Sequence, residues 1–150
     1  MAIKIIEDVK SMLPKDADIS TIAFEGANIV LYTKNKAFFL ENTRIIQDIV
    51  STIKKRVELR TDPSLPLEIE KAEEKIREVI KEEAGKLNII FDPQRSQVVI
   101  EAEKPGMAIG KSGENLKEIK RQTLWVPYVR RIPAIKARLL ENIRQVLYEN

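Results

Sequence analysis

The chain has no cysteine and no histidine among its 150 residues. Without thiols it can form no disulfide and no thiolate metal site. Without imidazole it lacks the commonest general base, the usual zinc ligand and any Ser-His or Cys-His nucleophile pair. Hydrolytic chemistry is therefore not expected within these residues, and no metal or cofactor is expected to bind them. Long apolar runs are missing too. None is long enough to cross a bilayer and no signal peptide opens the chain, so no membrane partner and a cytoplasmic location are expected. Glycine is scarce, five in all, and three of the five are Gly106, Gly110 and Gly113. The remaining composition, 43% hydrophobic and 33% charged, can build a core under a strongly charged surface. Its length suits one ordinary domain or two very small ones.

Backbone freedom is thus concentrated in residues 105–123. After Gly113 the sequence turns helical: Glu114 and Asn115 suit a helix N-terminus, and Leu116 and Ile119 begin an apolar stripe. Lys117, Lys120 and Arg121 make a basic face beside it. A glycine-bounded turn entering a helix offers free N–H groups, a positive dipole end and no Cβ to hold an anion away. Lys111 adds a mobile charge and Ser112 a hydroxyl donor, so a phosphate would be welcome here. Three readings compete. A nucleotide P-loop needs a glycine five residues before Gly110, where Pro105 stands. The run Gly110-Lys111-Ser112-Gly113 fits the Gly-x-x-Gly loop that clamps a single-stranded nucleic-acid backbone. The third reading is a bare helical corner, which leads on these four residues alone because glycines most often mark turns.

Charge placement adds to the case. From Pro105 onward there are nine bases against four acids, whereas residues 66–104 carry seven bases and ten acids. The positive field sits around the glycine loop, as an anionic partner would require. A solvated face with chance clustering explains the charge equally well.

Taken in order, Ile5, Ile6, Val9, Met12 and Leu13 mark a short helix ending by Pro14. Residues 19–25 and 28–33 read as two strands joined at Gly26-Ala27. Residues 34–42 read as a short helix and turn. From Thr43, expected as an N-cap, Ile45, Ile46, Ile49, Val50 and Ile53 define an amphipathic helix. Val57, Leu59 and Thr61 then alternate with Glu58 and Arg60 as a half-buried strand. After the proline-bearing linker 62–66, a charged helix is expected over 68–84, closed by Gly85. Strands follow at 87–91 and 97–103, then one helical turn before Gly110, the helix of 114–123 and a strand over 124–131. The order α-β-β-α-α-β therefore occurs twice, offset by about 65 to 71 residues, and the repeat points to two small α+β units. A helix from Pro133 carries Ile135, Leu139, Ile143, Val146 and Leu147 on one side and still runs at Asn150. It is expected to connect to a further domain.

This order, with Gly-x-x-Gly between the paired helices, resembles the type II KH domain. The resemblance implies two tandem KH-like units: 1–62 without the glycine loop, 67–132 with it, and a helical connector over 133–150. In KH domains the loop and its flanking helices form one wall of a cleft for about four single-stranded nucleotides. The RNA-binding residues so implied are Ile109, Gly110, Lys111, Ser112, Gly113, Asn115, Leu116, Lys117 and Lys120. Ile109 and Leu116 would floor the groove, and Lys111 would pair with phosphate.

More narrowly, residues 105–113 (Pro-Gly-Met-Ala-Ile-Gly-Lys-Ser-Gly) and 123–127 (Thr-Leu-Trp-Val-Pro) resemble the family of archaeal cleavage and polyadenylation specificity factor homologues. These are β-CASP ribonucleases of the metallo-β-lactamase superfamily, implicated in transcription termination. The resemblance implies that the chain binds single-stranded RNA, uracil-rich by that role, and presents transcript 3′ regions to an attached zinc-dependent endoribonuclease. The zinc would belong to a downstream domain, and the parent protein would be a homodimer. The alternative is a protein-interaction module that docks on RNA polymerase or another partner and carries a vestigial cleft.

One departure stands out. At the corresponding loop the first unit has Phe38-Phe39-Leu40-Glu41-Asn42, with bulk and an acid where a phosphate would sit. This unit is expected to bind RNA weakly or not at all through such a cleft. Phe38, Phe39 and Trp125 are expected in the core.

Overall fold

The computed structural model describes residues 2–133, so the connector helix expected beyond Pro133 lies outside the described residues. The first unit runs α1 (Ala2–Met12), β1 (Ile19–Glu25), β2 (Asn28–Thr33), α2 (Lys36–Leu40), α3 (Thr43–Ile53) and β3 (Val57–Thr61). The second repeats the order with α4 (Ile69–Val79), β4 (Leu87–Asp92), β5 (Gln97–Ala102), α5 (Pro105–Ile109), α6 (Glu114–Thr123) and β6 (Val126–Arg131). The α+β class and the doubled order read from the sequence are both present.

Each unit has one three-stranded sheet, ordered β1-β2-β3 and β4-β5-β6. A hairpin supplies the antiparallel pair, and a helical crossover returns the third strand parallel to the central one. A parallel partner cannot be reached by a tight turn, which is why the two short helices must lie between β2 and β3, and between β5 and β6. β2 reads Ile-Val-Leu-Tyr-Thr after its first residue and is buried throughout that run, as suits a central strand. Ile29, Leu31, Phe39, Ile49 and Val9 form the heart of the first core; Ile76, Val98, Ile100, Ile119 and Trp125 form that of the second.

Four expectations need correction. The helix expected over 68–84 ends at Val79, where Ile80 turns extended; a separate 3-10 turn spans Glu82–Ala84, and Gly85 (φ 80°) follows that turn instead. A helix of that full length would run about 25 Å, beyond the roughly 20 Å of its six-residue partner strands. Breaking it lets Ile80 and Ala84 both enter the core. The last strand starts at Val126 and not at Leu124, because Leu124 takes a left-handed conformation (φ 62°) to end α6. Asn42, not Thr43, holds the cap position of α3. Finally, β3 is not half-buried: Arg60 is only 2% exposed.

The second unit packs against the end of this strand. Leu124 inserts into the first unit's core, and Leu65 and Val126 pack beside it. The Thr61 hydroxyl donates to the Leu124 carbonyl at 2.7 Å, and the Ser96 hydroxyl donates to the Thr61 carbonyl at 2.6 Å. Arg60 donates to both Glu25 and Glu58 and to the Tyr32 hydroxyl, while the Tyr128 hydroxyl donates to Glu58 at 2.8 Å. Burial opposes the Arg60 charge, but hydrogen bonds to Glu25, Tyr32 and Glu58 outweigh it and keep the guanidinium protonated. The units are therefore joined by shared apolar packing and by buried polar contacts.

Candidate nucleic-acid interface

The glycine loop is built by three residues with positive φ. Gly110 has φ 80°, Ser112 φ 58° and Gly113 φ 73°. At Gly110 the requirement for glycine is twofold. Its ψ of 171° combines with positive φ in a region closed to other residues, and an added Cβ would lie 3.0 Å from the Asn115 side-chain Cγ and Nδ2. The bend throws the chain from α5 into α6, whose N-terminus at Gly113 carries no side-chain cap. The Glu114 N–H already donates to the Lys111 carbonyl, and no side chain caps the rest of the first turn.

Beside this terminus lies an open concavity of about 470 Å³, lined by Lys111, Ser112, Glu114, Lys117, Glu118 and Arg121. Lys111, Ser112 and Lys117 are exposed. Arg121 is engaged by Glu118 one turn earlier, and the Gln122 amide donates to the same carboxylate. Hydrogen bonds from Arg121 and then Gln122 pull the Glu118 carboxyl down to about 2, so it stays ionised and neutralises its partner. Among the described residues, Lys111 and Lys117 make no ion pair, and they remain the available cations of this face.

The sequence-derived site residues separate into two groups. Ile109, Gly110, Lys111, Ser112, Gly113, Leu116 and Lys117 lie at or beside the loop; Ile109 and Leu116 are half-buried, but neither lines the concavity they were expected to floor. Asn115 and Lys120 depart from the expected arrangement. The Asn115 amide donates to the carbonyls of Ala108 (3.1 Å) and Met107 (3.3 Å), tying the end of α5 to the start of α6. Lys120 turns toward the first unit, its ammonium 4.5 Å from the centre of the Phe39 ring. Burial pushes that ammonium below the ordinary lysine range. The basic face read along α6 is thus divided: Lys117 is open, Lys120 is packed and Arg121 is paired.

Both α5 and α6 pack on β6. Trp125, just before that strand, is 4% exposed; its indole N–H donates to the Leu67 carbonyl at 2.7 Å and its ring meets Phe91 edge-on. It is a core residue and offers no stacking face to a base. Phe38 and Phe39 are buried as well, at 7% and 0% exposure. Met107, 47% exposed beside the loop, was not singled out by sequence reasoning. Its place between Gly106 and Gly110 was the available signal. The Glu118–Arg121 pairing was legible from its i, i+3 spacing.

Residues 1–65 match the family profile described as the KH domain of transcription termination factor FttA, and residues 71–123 match the KH domain profile. The chain is 42% identical over 139 residues to the transcription termination factor FttA of Pyrococcus horikoshii, covering 93% of this chain and 21% of that protein. It is 40% identical over 154 residues to the FttA of Methanothermobacter thermautotrophicus, covering 100% of this chain and 24% of that protein. Against the FttA of Thermococcus kodakarensis the identity is 40% over 144 residues, covering 96% and 22%. The chain therefore spans about a fifth to a quarter of the length of these relatives. Two matched profiles and two sheets of the same topology make this chain a tandem of KH domains.

Proposed function

We propose that the chain is a single-stranded RNA-binding module and that the second unit does the binding. The observation that carries this reading is the uncapped N-terminus of α6 beside Gly110–Gly113, with Lys111 and Ser112 exposed at its mouth. Phosphates would approach the loop backbone, Lys111 and Lys117 would supply charge, and Ile109 and Leu116 would lie beneath the bases. The FttA relatives are named for transcription termination, and this module would serve that process by gripping transcript 3′ regions. Uracil-rich RNA is the proposed ligand. The module would deliver RNA to a zinc-dependent endoribonuclease, itself dimeric, in the longer protein. Zinc ligands would belong to that nuclease; among the described residues no cluster of three His, Cys, Asp or Glu side chains is suited to a metal.

The deciding experiment measures binding of short single-stranded RNAs to the wild-type chain and to Lys111→Asp/Ser112→Asp. Both side chains are exposed, so the double variant should keep its fold. Binding that falls by at least about 100-fold in the folded variant supports the loop as the site. Equal binding by both proteins, or none by either, rejects it.

A further inference from the structure

Away from the glycine loop, a concavity of about 630 Å³ lies on the first unit between α1 and β1. Its α1 wall presents Ile6 and Lys10, i and i+4 on one helix face, with Leu13 just past the end of the helix. Its other wall is Ile19 to Ile22 of β1, and Pro14, Lys15, Ala17 and Asp18 close one end.

β1 is the outer strand of its sheet: among the described residues it pairs with β2 on one side and with no strand on the other. Such an edge presents unpaired N–H and C=O groups, and proteins ordinarily guard it with proline, lysine, a bulge or a cover. This one has a register shift between Ile19 and Thr21, and after that Thr-Ile-Ala-Phe runs on without proline or charge. Apolar surface is open nearby, with Ile3 74% and Phe24 41% exposed. Two lysines, Lys10 and Lys15, stand at the groove against one acid, Asp18. Both lysines are exposed, and among the described residues neither makes an ion pair.

We propose that this groove takes an extended segment of a partner protein and adds it to β1 as a fourth strand. Main-chain hydrogen bonds along the edge would supply affinity, and every second side chain of the segment would face α1. The chemistry of the walls sets the segment's character. Residues facing Ile6, Leu13 and Ile22 are apolar, and residues flanking them are acidic to meet Lys10 and Lys15. An RNA strand is a poor occupant, because the backbone edge of β1 matches a peptide and the floor is aliphatic. The first unit, which has no glycine loop, is thereby given a protein-binding role on a surface separate from the Phe38-Phe39 segment.

The test uses two synthetic peptides with the same core of valine alternating with threonine, one ended by two acids on each side and one by two lysines. Amide NMR spectra and hydrogen exchange of the 150-residue chain are recorded with each. The acid-ended peptide should shift the amides of residues 19–25 and slow their exchange, binding at least about ten-fold more tightly than the lysine-ended one. Lys10→Glu/Lys15→Glu, two exposed changes, should reduce that binding about ten-fold while leaving RNA binding intact. Lys111→Asp/Ser112→Asp should bind the peptide as wild type does, so failure of the RNA reading leaves this result standing. The proposal is overturned if residues 19–25 are unmoved at about 1 mM peptide, or if the two peptides bind alike. It is also overturned if the β1 edge pairs with a second copy of the chain, or if uracil-rich RNA moves the same amides.

Discussion

Lys120 of α6 rests over the ring of Phe39, 4.5 Å from its centre, so a basic side chain of one unit is held by an aromatic of the other. The contact accounts for two departures together. It takes Lys120 away from the loop, and it gives the glycine-free segment of the first unit a structural task. Phe39→Leu keeps the apolar bulk and removes the ring face. It should cost about 0.5–2 kcal/mol beyond the lost area, and a double-mutant cycle with Lys120→Met in urea unfolding should return that coupling. A coupling near zero would show that the two side chains merely pass each other.

Leu124 belongs by sequence to the second unit and by packing to the first. Leu124→Ala should destabilise the chain by about 2–4 kcal/mol, with one cooperative transition that shifts as a whole. Two separated transitions, with only one moved, would contradict the shared core. It follows that residues 1–62 expressed alone would expose the surface that Leu124 covers, so a binding assay on that fragment would confuse loss of packing with loss of function.

On the proposed reading Asn115 would affect RNA only through the loop backbone, since its amide nitrogen donates to the Met107 and Ala108 carbonyls. Asn115→Leu should cost about 1–2 kcal/mol of stability and speed hydrogen exchange across residues 110–113. RNA affinity should fall although no phosphate contact is removed. Unchanged exchange in the loop with reduced affinity would return Asn115 to the ligand side of the cleft.

Arg60→Met leaves Glu25 and Glu58 facing each other without the cation they share. Because both carboxylates are partly open to water, the cost should be about 1–3 kcal/mol, below that of a fully buried broken pair. Adding Glu25→Gln and Glu58→Gln should recover part of it, and thermal unfolding of the three proteins measures both effects.

The acid limb of stability should be late. Hydrogen bonds from Ser20 and then Ser64 hold the Asp62 carboxyl at about 2, against an ordinary 3.8, and Glu118 is held at about 2 against 4.5. Groups depressed in this way stabilise the fold above their unfolded values and lose that contribution as pH falls through the folded ones. With no histidine in the chain, Tm should stay flat from about pH 8 to about 5.5 and then fall between about pH 4.5 and 2. Asp62→Asn should flatten part of that fall. A drop already present near pH 6 would point to a titrating group of another kind.

The periodicity of apolar residues and the placement of glycines were enough to locate every strand and helix of the doubled order to within a few residues. These are local signals: Ile45, Ile46, Ile49 and Val50 mark a helix face whatever lies opposite, and Gly110 and Gly113 mark positive φ whatever the loop binds. The failures fall where the deciding partner is remote in sequence. Residues 80–85 leave the helix because the strands they cover are short. Leu124 leaves its strand because a core more than sixty residues away receives it. Arg60, Lys120 and Asn115 look like surface polar residues in any short window, and only the tertiary structure shows that Arg60 is buried, that Lys120 faces Phe39 of the other unit and that Asn115 braces the loop. The sequence by itself determined the repeated α+β order, the place of the glycine loop and the absence of thiol and imidazole chemistry, since each depends on residue type and short spacing. Tertiary structure decided which bases remain free for a ligand and which edge of the first unit stays open, because both depend on what packs against what.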